Sequence, residues 1–195
     1  MRKLIETYYR IMKHDSEGRL VRDTGLMPSH SYVIQFLELI QGFFDGLNVV
    51  ATDVDGAENL IIEQSVRVEY VGTVDALVGD DTHGIVVGTN AGTSAEDNED
   101  YSLDTKIAEG AGGGQLSYQA VTIVDAREVG PNVDLDVSRV FQNDSGGTIT
   151  VKEIGVIVKN TTDTKYHLIL RDVVADEPVD DAEALTVVYV LRTTV

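Results

Sequence analysis

Thr148-Ile149-Thr150-Val151-Lys152-Glu153-Ile154-Gly155-Val156-Ile157-Val158 is the stretch on which the fold turns. It is eleven residues rich in β-branched side chains, long for a strand but without the 3.6-residue stripe of a helix. Ile149, Val151, Ile154, Val156 and Val158 populate the faces of a sheet by alternation, together with Phe141 on the segment before. Asn143 to Gly147, Asn-Asp-Ser-Gly-Gly, supplies the hairpin turn between them. Gly155 in mid-strand predicts a bulge or a close backbone approach. Glu153 and, farther on, Arg171 fall on strands adjacent in sequence order, which predicts a cross-sheet pair.

Working outward from this hairpin, four more segments carry the same signature: 116–123, 133–141, 166–174 and 185–191. Turn residues separate them, including Asn160-Thr161-Thr162-Asp163. Short, regularly spaced strands with such turns predict an antiparallel β-sandwich or barrel. In 185–191 the inward set is Leu185, Val187, Tyr189 and Leu191; Val188 and Val190 are also apolar, as in a strand covered on both faces.

Upstream, Ser65 to Val71 alternates as a half-buried strand should, and Gly84-Ile85-Val86-Val87-Gly88-Thr89 reads as a core strand. Residues 90–100 are Gly, Ser, Asn and acid and predict an exposed loop, and 111–114 a flexible break. The N-terminal zone predicts a β-hairpin, with strands over 4–12 and 19–22 and a turn over 14–18. Pro28 then interrupts the chain, and Ser29 or Ser31 is positioned to cap a helix. Apolar residues at 33, 36, 37, 40, 43, 44 and 47 follow helical spacing, with Glu38 the only charge between Tyr32 and Phe44. The expectation is one long apolar α-helix, covered nearly all round by its own domain or by a neighbouring subunit. Tyr32, Val33, Phe36, Leu37, Ile40, Phe43 and Phe44 are its interface candidates. The fold class is thus mainly β, divided into a hairpin-plus-helix assembly region (1–58) and a β-domain (59–195).

Composition bounds the function. With 195 residues the chain buries a full core without a staple, and it has no cysteine for disulfides or thiolate zinc sites. No apolar run approaches the ~18 residues of a membrane span, and MRKLIETYYR meets Glu6 and Arg10 before a signal-like core develops. The expectation is therefore no membrane association and no signal peptide. Thirty-three acids against fifteen bases give a formal charge of −18. Such a surface has no counterion release to gain from phosphate, so nucleic acid is not an expected partner.

Candidate chemistry is sparse. His14, His30, His83 and His167 belong to no nucleophile or metal motif. Asp80-Asp81-Thr82-His83 is the best local ligand cluster, though a solvated loop explains it as well. Asp53-Val54-Asp55-Gly56-Ala57-Glu58 has acids and a glycine, but not in the register of a calcium loop, and a turn is expected. Chance pairs of carboxylates suited to glycan hydrolysis are inevitable among so many acids. Yet tryptophan is absent, and the eight tyrosines and four phenylalanines are scattered, which supplies a sugar-stacking cleft poorly. Gly110 to Gly114 lacks the Gly-Lys-Ser/Thr of a phosphate loop. No catalytic residue, metal ligand or cofactor is assigned, and no enzymatic activity is expected.

From Gly84 to the end the chain resembles a family of tailed-phage virion structural proteins. The matching segments are GIVVGT (84–89), YSLDTKI (101–107), GQLSYQAVTI (114–123), SRVFQNDSGGTITVKEIGVIVK (138–159), LILRDVV (168–174) and LTVVYVLRTTV (185–195). The N-terminal hairpin with SYVIQFLELI is similar, more loosely, to what precedes this β-domain in some members. The resemblance implies a structural subunit of a virus particle, made in the host cytoplasm and packed against copies of itself and other virion proteins. A capsid-associated cement or decoration subunit ranks first among the roles it implies. A tail, neck or fibre-attachment component comes next, and a host-surface glycan-binding module third. The acid runs 96–100 and 176–181 are expected in loops facing solvent, away from packaged nucleic acid.

Overall fold

The computed structural model describes residues 5–29, 32–45, 49–61, 72–160 and 164–194. Their strands are β1 (Glu6–His14), β2 (Leu20–Asp23), β3 (Met27–Ser29), β4 (Val49–Thr52), β5 (Glu58–Ile61), β6 (Gly72–Thr73), β7 (Gly84–Gly88), β8 (Ser117–Tyr118), β9 (Thr122–Val129), β10 (Asn132–Gln142), β11 (Ile149–Asn160), β12 (Lys165–Val179) and β13 (Ala184–Thr194). One helix, α1 (Ile34–Asp45), lies between β3 and β4. The expectation of a mainly β, antiparallel protein holds. The strand expected over 65–71 lies outside the described residues.

Two sheets account for most of the chain. The larger runs β2-β1-β13-β10-β8, with β3 also on β1 and β9 also on β10. The smaller runs β12-β11-β6, with β7 also on β11, and β4 and β5 form a separate hairpin. One apolar cluster draws from both sheets: Ile11, Val137, Phe141, Leu185, Val187 and Tyr189 from the larger, Ile85, Val87, Val151, Ile154, Leu168 and Leu170 from the smaller. Each fully buried aliphatic side chain of this kind stabilises by about 1.5–3 kcal/mol. β1 pairs with β13 along its whole length, from Glu6↔Arg192 to His14↔Ala184. The expected N-terminal assembly region thus contributes its first strand to the sheet built by the C-terminal strands.

Several local expectations change. Residues 116–123 do not form one strand: β8 ends at Tyr118 and β9 begins at Thr122, and between them Val121 donates its N–H to the Ala76 carbonyl. Pro28 does not interrupt the chain ahead of a helix. It lies in edge strand β3 opposite Tyr8, where a residue without an N–H is tolerated. The acids 176–181 are not all in a loop, since β12 runs on to Val179 and Glu177 is buried beside Arg22.

The long apolar helix is also corrected. Tyr32 and Val33 are held against β12, Tyr32 bridging Leu170 and Val33 donating its N–H to the Ile169 carbonyl, so α1 starts only at Ile34 and runs twelve residues. It is not covered all round. Leu37 is 63% exposed, whereas the polar Gln35 is buried. Apolar spacing alone does not say which side of a short helix faces the core, and here the tether at 32–33 sets its rotation.

Gly155 meets its expectation. A Cβ there would lie 2.8 Å from the Leu170 carbonyl oxygen and 2.9 Å from a Leu103 methyl, closer than any real side chain tolerates. The β11–β12 register shifts on both sides of it, between Val151 and Glu153 and between Val156 and Ile157. At the far edge, β9 carries its own register shift against β10, between Asp134 and Asp136, which breaks the regularity a further strand would need to pair with it.

Candidate functional site

Two arginines sit fully buried at the centre of the molecule, and each ties a loop to the sheets. By the parity of β10, Arg139 shares its face with the core residues Val137 and Phe141. Among the described residues no carboxylate meets it. Its guanidinium donates instead to five backbone carbonyls: Gln119 (2.6 Å), His83 (3.1 Å), Ile85 (3.0 Å), Leu77 (3.2 Å) and Asp80 (2.5 Å). Five donors in a fixed fork match these five acceptors, a task a lysine ammonium could not perform. Its carbon Cζ also lies 4.7 Å from the centre of the Tyr118 ring, a cation–π geometry. Desolvation lowers the pKa of Arg139, with Tyr118 and the acids around it opposing the shift. Tyr118 is itself buried, its hydroxyl donating to the Ile107 carbonyl, and burial raises its pKa.

Arg171 on β12 faces Glu153 on β11, and neither is accessible to water. Glu153 accepts the Arg171 Nε–H at 3.0 Å and the backbone N–H groups of Asn90 (3.2 Å), Asp104 (3.0 Å) and Thr105 (2.8 Å). Gly88 on the neighbouring strand leaves room for that side chain, since a Cβ there would stand 2.7 Å from Glu153 Cγ. Arg171 reaches on to Asp100 (2.7 Å), the Ala95 carbonyl (3.1 Å) and Ser94 Oγ (2.7 Å). Burial alone would lower the pKa of Arg171, but its hydrogen bonds to Asp100 and Glu153 outweigh that and the net shift is upward. The cross-sheet pair expected from sequence is thus present, and it is buried. The segment 90–100, expected as an exposed loop, is fastened to the core through the Asn90 N–H, the Ala95 carbonyl, Ser94 and Asp100.

A third buried polar group, Asp172, accepts from Tyr189 Oη (2.9 Å) and Ser29 Oγ (2.9 Å), joining β12, β13 and β3. Burial, with Asp172 beside it, drives the Tyr189 pKa well upward. On the far side Arg192 makes a two-pronged contact with Asp134 at 2.7 and 2.6 Å, the first cause of that carboxyl's lowered pKa.

The residues singled out from sequence take ordinary structural places. Asp53 closes the β4–β5 turn, accepting the N–H groups of Asp55 and Ala57 on one oxygen. His83 is buried with Nδ1 3.3 Å from Asp80, while Asp81 pairs with Lys106. His14 ends β1 and His167 is buried in β12; His30 lies outside the described residues. Among the described residues no three His, Asp or Glu side chains converge as metal ligands. A cleft of about 460 Å³ is lined by Thr89, residues 113–114 and residues 145–150, among them Ile149 and no ionisable side chain.

The helix candidates divide. Val33 is buried in the protein's own core, and Tyr32 is half-buried, its hydroxyl hydrogen-bonded to Thr7 and its ring 4.2 Å from that of Phe36. Phe36 and Ile40 are half-buried and Leu37 projects outward. The side chains of Phe43 and Phe44 lie outside the described residues. Sequence reasoning missed a more exposed apolar pair, Leu77 and Val78, at 74% and 66%. Comparison with protein-family models, with curated proteins and with solved structures returns no match.

Proposed function

We propose that the chain is a structural subunit of a tailed-phage-type virus particle, acting as a capsid-associated cement or decoration protein through protein–protein packing. The reading rests on the segments of family resemblance from Gly84 to the end, which fall on β7, β8, β11 and β13, on parts of β9, β10 and β12, and on the loop 101–107. In this reading those strands form a β-sandwich scaffold, and no bond is made or broken by the protein. Two features of the molecule support it. Arg139 and Arg171 hold connecting loops to the core, which lowers the ordering entropy that docking would cost. Aliphatic side chains stand in water on those loops and edges: Leu20, Val21, Leu77, Val78, Ile123 and Val124. Adjacent exposed apolar pairs are what contact surfaces carry.

In this reading the charge of −18 favours the outer side of the shell, away from packaged DNA. The test is co-sedimentation of a tagged chain with genome-filled particles through a density gradient, followed by acid-directed labelling of the intact particles. The reading expects the tag in the particle band, with Asp97 and Glu99 labelled. A tag only in the soluble fractions contradicts it.

A further inference from the structure

β7 stops short along β11. The two strands pair only from Glu153↔Gly88 to Ile157↔Gly84, so the first residues of β11 have β12 on one side and no described strand on the other. Which groups this leaves open follows from Pro178, the partner of Thr150 on β12. Proline has no N–H, so Thr150 and Pro178 form a pair that exchanges no hydrogen bonds, and the bonds to β12 come from Ile149 and Val151 on either side. The Pro178 carbonyl turns away and accepts from Lys13 Nζ (3.1 Å). The Thr150 N–H and C=O therefore point to the side of β11 that β7 leaves vacant, and among the described residues no loop backbone bonds them.

That open edge is one wall of the 460 Å³ cleft, a volume within the range of ligand sites. Gly113, Gly114, Gly146 and Gly147 line it as well, and a Cβ on any of them would meet nothing within 4 Å. Gly114 and Gly146 have left-handed φ angles of 79° and 80°, which accounts for glycine there. Gly113 and Gly147 have no such angle and no crowding neighbour, unlike Gly112, where a Cβ would stand 2.6 Å from Gln115 Oε1. Their effect is to keep the cleft bare beside the strand edge. Both walls are ordered in advance: buried Asn143 donates to the Gly147 and Val179 carbonyls, each at 2.7 Å, and Gln115 Oε1 accepts the Gly112 N–H at 3.0 Å.

We propose that this cleft binds an extended peptide segment of a partner protein, which takes the place β7 vacates and exchanges backbone hydrogen bonds with Thr150. A donor and an acceptor on one strand residue are the complement of a peptide backbone, and the bare glycines let that backbone come close. The surroundings select the segment's charge. No ionisable side chain lines the cleft, but Asp144, Asp180 and Asp181 stand exposed on the adjoining turns, the last two bonded to Thr148 and Gly146. The base nearest along β11, Lys152, is paired with Asp176. The segment is uncharged where it crosses the cleft and basic beside it. This site stands on the geometry of the cleft alone and holds whether or not the chain belongs to a virus particle.

The experiment pans the full chain against two display libraries of random peptides, one flanked by lysines and one by glutamates, and titrates the selected peptides into nitrogen-15-labelled protein. The lysine-flanked library yields binders that shift the Thr150 amide and slow its hydrogen exchange. Gly113→Val and Gly147→Val place side chains in open space at positions without a left-handed backbone, so each keeps the wild-type circular dichroism and loses at least about tenfold in peptide affinity. Absence of binders, binders that leave the Thr150 amide unmoved, or binders held equally well by both glycine variants overturns the proposal. Preferential selection from the glutamate-flanked library overturns the charge assignment. Maltose and cellobiose are titrated in parallel, and shifts at these amides from a sugar but from no peptide make the cleft a saccharide site instead. A Thr150 amide protected by self-association of the chain, and released by dilution, makes a second copy the occupant and overturns the partner assignment.

Discussion

Glu153→Gln removes one negative charge from the molecule's centre while keeping the side chain's shape. Glu153 accepts four hydrogen bonds, two on each oxygen, from Asn90, Thr105, Asp104 and Arg171. An amide offers one acceptor oxygen and presents N–H donors on the other side. Whichever way it is turned, two donors lose their acceptor, either Asn90 and Thr105 or Asp104 and Arg171. Each buried donor left unsatisfied costs about 1–3 kcal/mol, and breaking a buried ion pair from one side costs about 3–5 kcal/mol. The two estimates bracket the same loss. For a domain of this size about 1 kcal/mol lowers Tm by ~2–4 °C, so the expected fall is on the order of 6–20 °C. Arg171→Met belongs to the same range, since it strands the Glu153 carboxylate and releases Asp100 and Ser94. Glu153→Met/Arg171→Met costs less than the sum of Glu153→Met and Arg171→Met, because the Glu153 carboxylate is then not left buried without its partner. Urea denaturation of the wild type, these two single variants and the double variant gives the cycle directly, with Glu153→Gln measured beside them. A Glu153→Gln variant within ~1 kcal/mol of the wild type refutes the idea that this pair anchors the 90–104 loop.

Three further outcomes follow from the same geometry. Arg139→Lys keeps the charge but leaves at least two of the five carbonyls without a donor, and is expected to cost about 2–5 kcal/mol, read by urea denaturation; a change under ~1 kcal/mol contradicts the carbonyl cage. Burial lowers the His83 pKa against the pull of Asp80, so between its folded value and about 6.5 the unfolded chain binds more protons than the folded one. Its contribution is complete above pH ~6.5 and is lost as pH falls through the folded pKa; thermal melts of wild type and His83→Gln from pH 7.5 downward should diverge least at the acid end. Val187→Asp places a carboxylate in the sealed core and should unfold the domain, whereas Leu191→Asp, at a half-buried position on the same strand face, should cost less; equal effects in far-ultraviolet circular dichroism would show that the core extends farther along β13.

How far these features could be read from sequence depended on whether the deciding contact was local. Period-two alternation located β10 to β13 to within a few residues, because a sheet with one buried face leaves that period in its sequence. The same parity could have found two of the buried charges: Arg139 alternates with Val137 and Phe141, and Glu153 with Ile149 and Val151. A charged residue on an apolar face is a signal in itself. Its partners were not legible, since Arg139 is satisfied by backbone carbonyls from residues 77 to 119, and no side chain there marks them. The helix was misjudged for a similar reason. Its exposed side is fixed by Tyr32 and Val33 pairing with β12, more than 130 residues away in sequence, and spacing within 33–47 carries no trace of that tether. Leu77 and Val78 were passed over because two aliphatics in a short loop have no period, and only the structure distinguishes a packed pair from a displayed one.

The central claim is that this protein is a structural subunit present in many copies on a virus particle. Its most direct test is the copy number in purified, genome-filled particles of the virus that encodes it, measured by mass spectrometry against isotope-labelled peptides of this chain. A cement or decoration subunit is predicted at hundreds of copies per particle. A dozen copies or fewer would contradict the capsid assignment, and absence from the particle would contradict the account as a whole.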